Sequence, residues 1–172
     1  MKIVDYKFKK VDNQKAIEII GRKARDAGIG IELEEINGDI FCKVEPPALV
    51  KLCELLNGDK ELDFDYIRVI TGVDYIDYME MVYCLYSFAN NWSLNIKVKL
   101  DAGKPEIETI TPIYKGADWF ERETREMFGI NFKGHPDLRP LLLVGDEDFY
   151  PLKKSFEIKW EKRKYKAPKV FE

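Results

Sequence analysis

Hydrophobic positions along the chain switch between two periods. Asp12 or Asn13 can cap a helix, and Ile17, Ile20, Ala24 and Ala27 then recur at helical spacing up to Gly28. Ile29, Ile31 and Leu33 next alternate with Gly30, Glu32 and Glu34, the pattern of a half-buried strand. Asn37-Gly38 is a hairpin turn signal, and Ile40 to Val44 reads as the returning strand. Pro46 and Pro47 open a second helix, where a missing N–H is tolerated. Its apolar face is Leu49, Leu52, Cys53 and Leu56, and Asn57-Gly58 closes it.

Phe64 to Val73 and Met79 to Phe88 carry apolar residues on both faces, which predicts central strands. Trp92, Leu94, Ile96, Val98 and Leu100 alternate with Ser93, Asn95, Lys97 and Lys99, so this strand is wet on one face. Glu106 to Thr111 reads as one more short strand. A third helix starts at Asp118, a candidate N-cap that forms a capping box with Glu121. Phe120, Thr124, Met127 and Phe128 share one face of it, and Gly129 supplies the left-handed residue that ends it. Arg122, Glu123 and Glu126 lie off that face. Their alternation with Arg125 predicts an ion-paired surface, Glu121 reaching Arg125 and Arg122 reaching Glu126.

The predicted order is α-β-β-α-β-β-β-(β)-α followed by extended structure. Strands joined by short turns imply antiparallel pairing. The expected fold is therefore an α+β two-layer sandwich with a mainly antiparallel sheet. Residues 1–143 form the α+β domain in this reading, and 144–172 form an extended basic tail.

Charge sharpens that division. The chain of 172 residues has a net charge of -3, yet Lys153 to Glu172 holds eight Lys/Arg against three acids. A tail of opposite sign to its body suggests a segment that meets another molecule. Frequent Lys, Glu and Ile beside a single Gln resemble thermophile usage. No apolar run is long enough to span a membrane, and the start lacks the apolar core of a signal peptide, so a cytoplasmic location is expected. Cys42, Cys53 and Cys84 stand singly and read as buried thiols.

Chemistry is hard to place. There is no Gly-rich phosphate loop and no Ser-centred nucleophile elbow. His135 is the only histidine, so no usual zinc set can be completed, and neither a metal nor a catalytic residue is expected. Its pre-proline position forces it extended, as a turn residue bonding backbone or a partner. The tail interleaves lysines with Phe156, Trp160 and Tyr165, a mixture that suits an acidic protein groove better than nucleic acid. Two other classes stay open at this point: an enzyme using His135 with a carboxylate, and a nucleic-acid binder through the tail.

Glu121-Arg-Glu-Thr-Arg-Glu-Met-Phe-Gly-Ile130, then Phe132 and Gly134-His-Pro-Asp-Leu-Arg139, resembles the signature of the thirty-kilodalton (NuoC-type) subunit of respiratory complex I. Arg68, Thr71 to Asp74, the Tyr83 to Ser87 strand, Thr109-Ile110, Ala117 to Phe120 and Tyr150 to Lys154 extend the resemblance. It spans roughly Phe64 to Phe156, and Lys153-Lys154-Ser155-Phe156 lacks the acid of the family's basic-basic-acid-aromatic segment. The resemblance implies a two-layer fold and a role in assembly, with no cofactor in this chain. It implies a hydrogenase-like large subunit and an iron–sulfur small subunit as partners. Those chains are expected to carry the iron–sulfur clusters and, in hydrogenases, a NiFe centre. Size and composition look most like an archaeal membrane-bound [NiFe] hydrogenase member; a complex I or sulfur-reducing counterpart is the alternative. Arg122, Glu126, His135, Arg139, Lys153 and Lys154 are the residues expected to face a partner, on the cytoplasmic side of a membrane.

Overall fold

A computed structural model describes residues 12–143 and 149–157. The first helix, α1 (Asn13–Asp26), is capped by Asp12, whose Oδ1 accepts the Lys15 N–H at 3.1 Å. It buries Ala16, Ile19, Ile20 and Ala24, while Ile17 and Ala27 flank the core half-covered. Strands β1 (Ile31–Ile36) and β2 (Asp39–Val44) pair antiparallel across Asn37 and Gly38. Both turn residues have positive φ, 54° and 88°, as a two-residue hairpin requires.

After a short 3-10 turn at Pro46–Ala48, helix α2 (Leu49–Gly58) follows. It has no side-chain cap, but Leu49, Leu52 and Leu56 are fully buried. At about 1.5–3 kcal/mol per buried leucine, packing outweighs the missing cap. Strands β3 (Tyr66–Asp74), β4 (Tyr78–Ser87) and β5 (Trp92–Asp101) complete a sheet of order β1-β2-β5-β4-β3. Every neighbouring pair in it is antiparallel except β2 with β5. The expected two-layer α+β fold is therefore present.

One face of the sheet carries the core: Ile40 and Cys42 of β2, Met79 to Leu85 at alternate positions of β4, and Leu94, Ile96 and Val98 of β5. The strand predicted over Phe64 to Val73 is not central. As β3 it lies at the sheet's edge, paired only with β4, and its outward side chains are not covered by a second layer of described residues. β4 is interior, but it too has only one covered face.

Two short strands, β6 (Glu106–Glu108) and β7 (Asn131–Lys133), pair parallel beside the sheet and bracket helix α3 (Ala117–Phe128). Three residues are too few to show a strand period, so β7 has no signature in the sequence. Gly72 of β3 lies under α3, where a Cβ would come within 3.1 Å of the Phe128 ring, so its lack of a side chain admits the helix. The predicted boundary at 143/144 falls where the described residues stop. Most of the basic tail, with Trp160, Tyr165 and the lysines from Lys159 onward, lies outside them.

Candidate subunit interface

The N-cap of helix α3 lies two residues earlier than predicted, and the capping box does not form. Gly116 is the N-cap, without a side-chain bond, and Asp118 sits in the first turn. Glu121 instead turns inward and is fully buried. Its Oε1 accepts the Ile110 N–H at 2.9 Å, and its Oε2 accepts the Thr109 hydroxyl at 2.5 Å. The Thr111 hydroxyl stands 3.3 Å from the same oxygen. Burial raises the Glu121 pKa, opposed by these hydrogen bonds and by His135 nearby. The missed signal is a helical stripe: Ala117, Glu121, Thr124 and Phe128 fall at i, i+4, i+7 and i+11, and all four are buried.

The predicted ion pairs along α3 are also absent. No salt bridge joins Glu121 to Arg125 or Arg122 to Glu126 among the described residues. The charges go to backbone groups of the segment that follows β7. Arg122 donates from Nε to the Arg139 carbonyl and from Nη2 to the Pro140 carbonyl, both at 3.2 Å. Arg125 donates to the Leu138 carbonyl. The Glu126 carboxylate accepts the N–H groups of Leu141 (3.2 Å), Leu142 (2.8 Å) and Leu143 (2.7 Å). One charged stripe thus sorts itself along an extended chain, cations on carbonyls and the anion on amides. These bonds are exposed or half-buried, so water screens each below the ~1.5–3 kcal/mol of a buried charge-assisted bond.

Local chemistry brings that segment back over α3. Gly129, at φ 73°, ends the helix, and its N–H bonds the Arg125 carbonyl at 2.8 Å. Gly134, at φ 78°, turns the chain after β7. The His135 side chain is 0% exposed. Its Nδ1 accepts the Asp137 N–H at 3.1 Å, and its Nε2 lies 3.3 Å from the Asp118 carbonyl. Asp118 Oδ1, 3.7 Å from Nε2, is buried with no hydrogen-bond partner among the described residues. The enclosed His135 side chain therefore serves the turn it shapes and presents no surface of its own. Asp137 and Arg139 close the turn: Nε and Nη2 of Arg139 bond the Asp137 carboxylate at 2.9 and 2.7 Å. The guanidinium holds the Asp137 pKa well below the ordinary carboxylate value. The Arg139 side chain remains 82% exposed.

Residues 149–157 dock on the other end of α3. Leu152 N–H bonds the Met127 carbonyl at 3.1 Å. The Tyr150 ring lies so close to Gly129 that a Cβ there would be 2.7 Å from it, a second reason for glycine. Asp74 ties this segment to the β3–β4 turn, accepting the Ile76 N–H at 2.7 Å and the Lys154 N–H at 2.9 Å. Those bonds keep the Asp74 pKa low. The ammonium groups of Lys153 and Lys154 stand over the Tyr150 and Tyr75 rings, at 4.8 and 5.8 Å. Trp119 and Leu142 are exposed near Arg122 and Arg139, and Tyr150 and Leu152 are exposed beside Lys153 and Lys154. Apolar and aromatic anchors with arginine are the composition of protein interfaces. Among the described residues no three His, Cys, Asp or Glu side chains converge as metal ligands, and no helix is long and apolar enough to cross a membrane.

The structure is thus a two-layer α+β body whose charged helix fixes a corner of extended backbone. The chain belongs to the family described as respiratory-chain NADH dehydrogenase, 30 Kd subunit, which it matches over residues 42–162. It is 36% identical over 148 residues to the C subunit of the NADH-quinone oxidoreductase of Roseiflexus sp. (strain RS-1), covering 84% of each chain. It is 42% identical over 117 residues to the C subunit of the F(420)H(2) dehydrogenase of Methanosarcina mazei, covering 66% of this chain and 73% of that one. Its fold matches a chain of the membrane-bound sulfane sulfur reductase, an archaeal respiratory membrane complex. That match has a TM-score of 0.73 at 23% identity, over 92% of this chain and 95% of the other. The protein is thus a NuoC-type subunit of complex I-like, energy-converting complexes.

Proposed function

We propose that this chain is a non-catalytic assembly subunit in the peripheral arm of a membrane-bound oxidoreductase of the [NiFe] hydrogenase type. In this reading it lies on the cytoplasmic side and docks the α3 corner on a hydrogenase-like large subunit, next to an iron–sulfur small subunit. The clusters and the NiFe centre belong to those chains, whose electron transfer drives ion translocation. One observation carries the docking role: Arg122, Arg125 and Glu126 are bonded to backbone, so the corner stays rigid while Trp119, Leu142 and Arg139 face outward. A rigid surface loses less entropy on binding.

A second reading is the equivalent subunit of a quinone-linked or F420-linked dehydrogenase. The identities of 36% and 42% to subunits of such enzymes favour it. Purification of the tagged chain from its host, with mass spectrometry of the co-purifying chains, separates the two. A large chain with two Cys-X-X-Cys motifs for nickel supports the hydrogenase. A large chain without them assigns the subunit to the dehydrogenase or sulfur-reducing class. Purification with no large chain rejects both.

A further inference from the structure

The sheet's open face divides into unlike halves. Over β1, β2, β5 and the Tyr78–Glu80 end of β4 it is polar, and its charges pair with one another. Lys43 pairs with Glu34 at 3.1 Å, Lys97 with Glu80 at 3.6 Å, and Lys97 also lies over the Phe41 ring at 4.9 Å. An antiparallel sheet with one covered face normally looks like this to water. Over β3 and the Val82–Tyr86 part of β4, beyond Glu80, the same face is apolar. Tyr66, Val69, Val82, Cys84 and Tyr86 line it through cross-strand pairs, and Phe88 follows at the strand end. Phe88 is 65% exposed, and its ring packs against Tyr66 at 5.4 Å and Tyr86 at 5.0 Å.

This half explains why the strand pattern of Phe64 to Phe88 reads as doubly buried: the sequence encodes two apolar faces, and the described chain covers one. A β-bulge between Ile67 and Val69 sets Arg68 out of register at the patch. Its Nη1 lies 3.3 Å from Ser93 Oγ, and no carboxylate lies within ion-pair distance among the described residues. Tyrosines, a phenylalanine and an arginine, without lysine or glutamate, make the composition of a buried interface centre.

We infer that the β3–β4 half of the open sheet face is a second docking surface, covered in the assembled complex by an apolar segment of a neighbouring subunit that sets a carboxylate against Arg68. The inference rests on the chain's working as a complex subunit, but it uses the face opposite the helices rather than the α3 corner. The unpaired cation selects an acidic partner, and the aromatic trio supplies the apolar area.

The test places a benzophenone photo-crosslinking residue at Phe88 or, as a control on the polar half, at Lys43. The tagged complex is purified from the host, irradiated and mapped by peptide mass spectrometry. The expected result is a crosslink from position 88 to an acidic peptide of another subunit, at least tenfold stronger than from position 43. Arg68→Glu should lower recovery of the complex at least tenfold, and reversing the mapped carboxylate to lysine should restore it. An assembled complex in which position 88 crosslinks to nothing, to this chain's own 1–11 or 158–172 segment, or to a second copy overturns the inference and leaves the proposed function standing. Purification of the chain with no other subunit overturns both.

Discussion

Helices α1 and α3 are of similar length and amphipathicity, yet they handle charge in opposite ways. On α1 the charges meet other charges or water: Arg22 pairs with Glu61 at 3.0 Å, and Lys23 with Asp59 at 2.6 Å. Its cap is a side chain, and its buried face is wholly apolar. On α3 the cap is missing, a glutamate lies in the buried stripe, and the outer charges bind carbonyls and amides of residues 138–143. α1 holds itself to the sheet, whereas α3 holds another piece of chain. The contrast separates a helix that stabilises the domain from one that shapes a surface.

The largest stability loss should come from the buried part of α3. Glu121→Ala leaves the Ile110 N–H and the Thr109 hydroxyl without their acceptor, so about 2–4 kcal/mol should disappear in urea titrations. Glu121→Gln sharpens the point through pH. The folded-state pKa of Glu121 is raised by burial, so the folded protein holds this proton more tightly than the unfolded chain. Its contribution is full below the unfolded pKa and fades as pH rises through the folded one. The wild-type protein should lose stability across that window, and the glutamine variant should not. Parallel pH profiles for the two would show that Glu121 does not titrate in this way.

Gly129→Ala comes next. A non-glycine residue at φ 73° costs about 1–2 kcal/mol, and the Tyr150 ring must also move. Limited trypsin digestion should then cut faster after Lys153 and Lys154. Asp12→Ala on α1 removes one cap, about 1 kcal/mol, and should leave complex recovery unchanged. Arg22→Ala breaks an exposed pair and should shift stability by less than about 0.5 kcal/mol in the same titration.

The same contrast marks what the sequence can tell. α1, the Asn37-Gly38 hairpin and the Gly129 stop are legible because caps, turns and periodicity are local. Side-chain pairing rules misread the α3 charges because their partners are backbone groups 13 to 18 residues away. Asp118 offers Glu121 a capping box, although the place of Glu121 in the Ala117–Thr124–Phe128 stripe points inward. The apolar residues of β3 suggest a central strand because two apolar faces cannot say whether the second cover comes from the same chain. Family membership is readable from the spacing of Glu121 to Arg139, whereas nothing in that spacing reveals that His135 is enclosed.

The central claim is that α3's outer charges build a docking corner without being needed for the fold. It is tested most directly with Glu126→Ala in the tagged chain, measuring recovery of the complex and thermal unfolding of the purified chain together. Hydrogen exchange at residues 141–143 should rise, recovery of the complex should fall at least tenfold, and Tm should drop by only a few degrees. Full recovery of the complex, with residues 141–143 exchanging freely, would contradict the account.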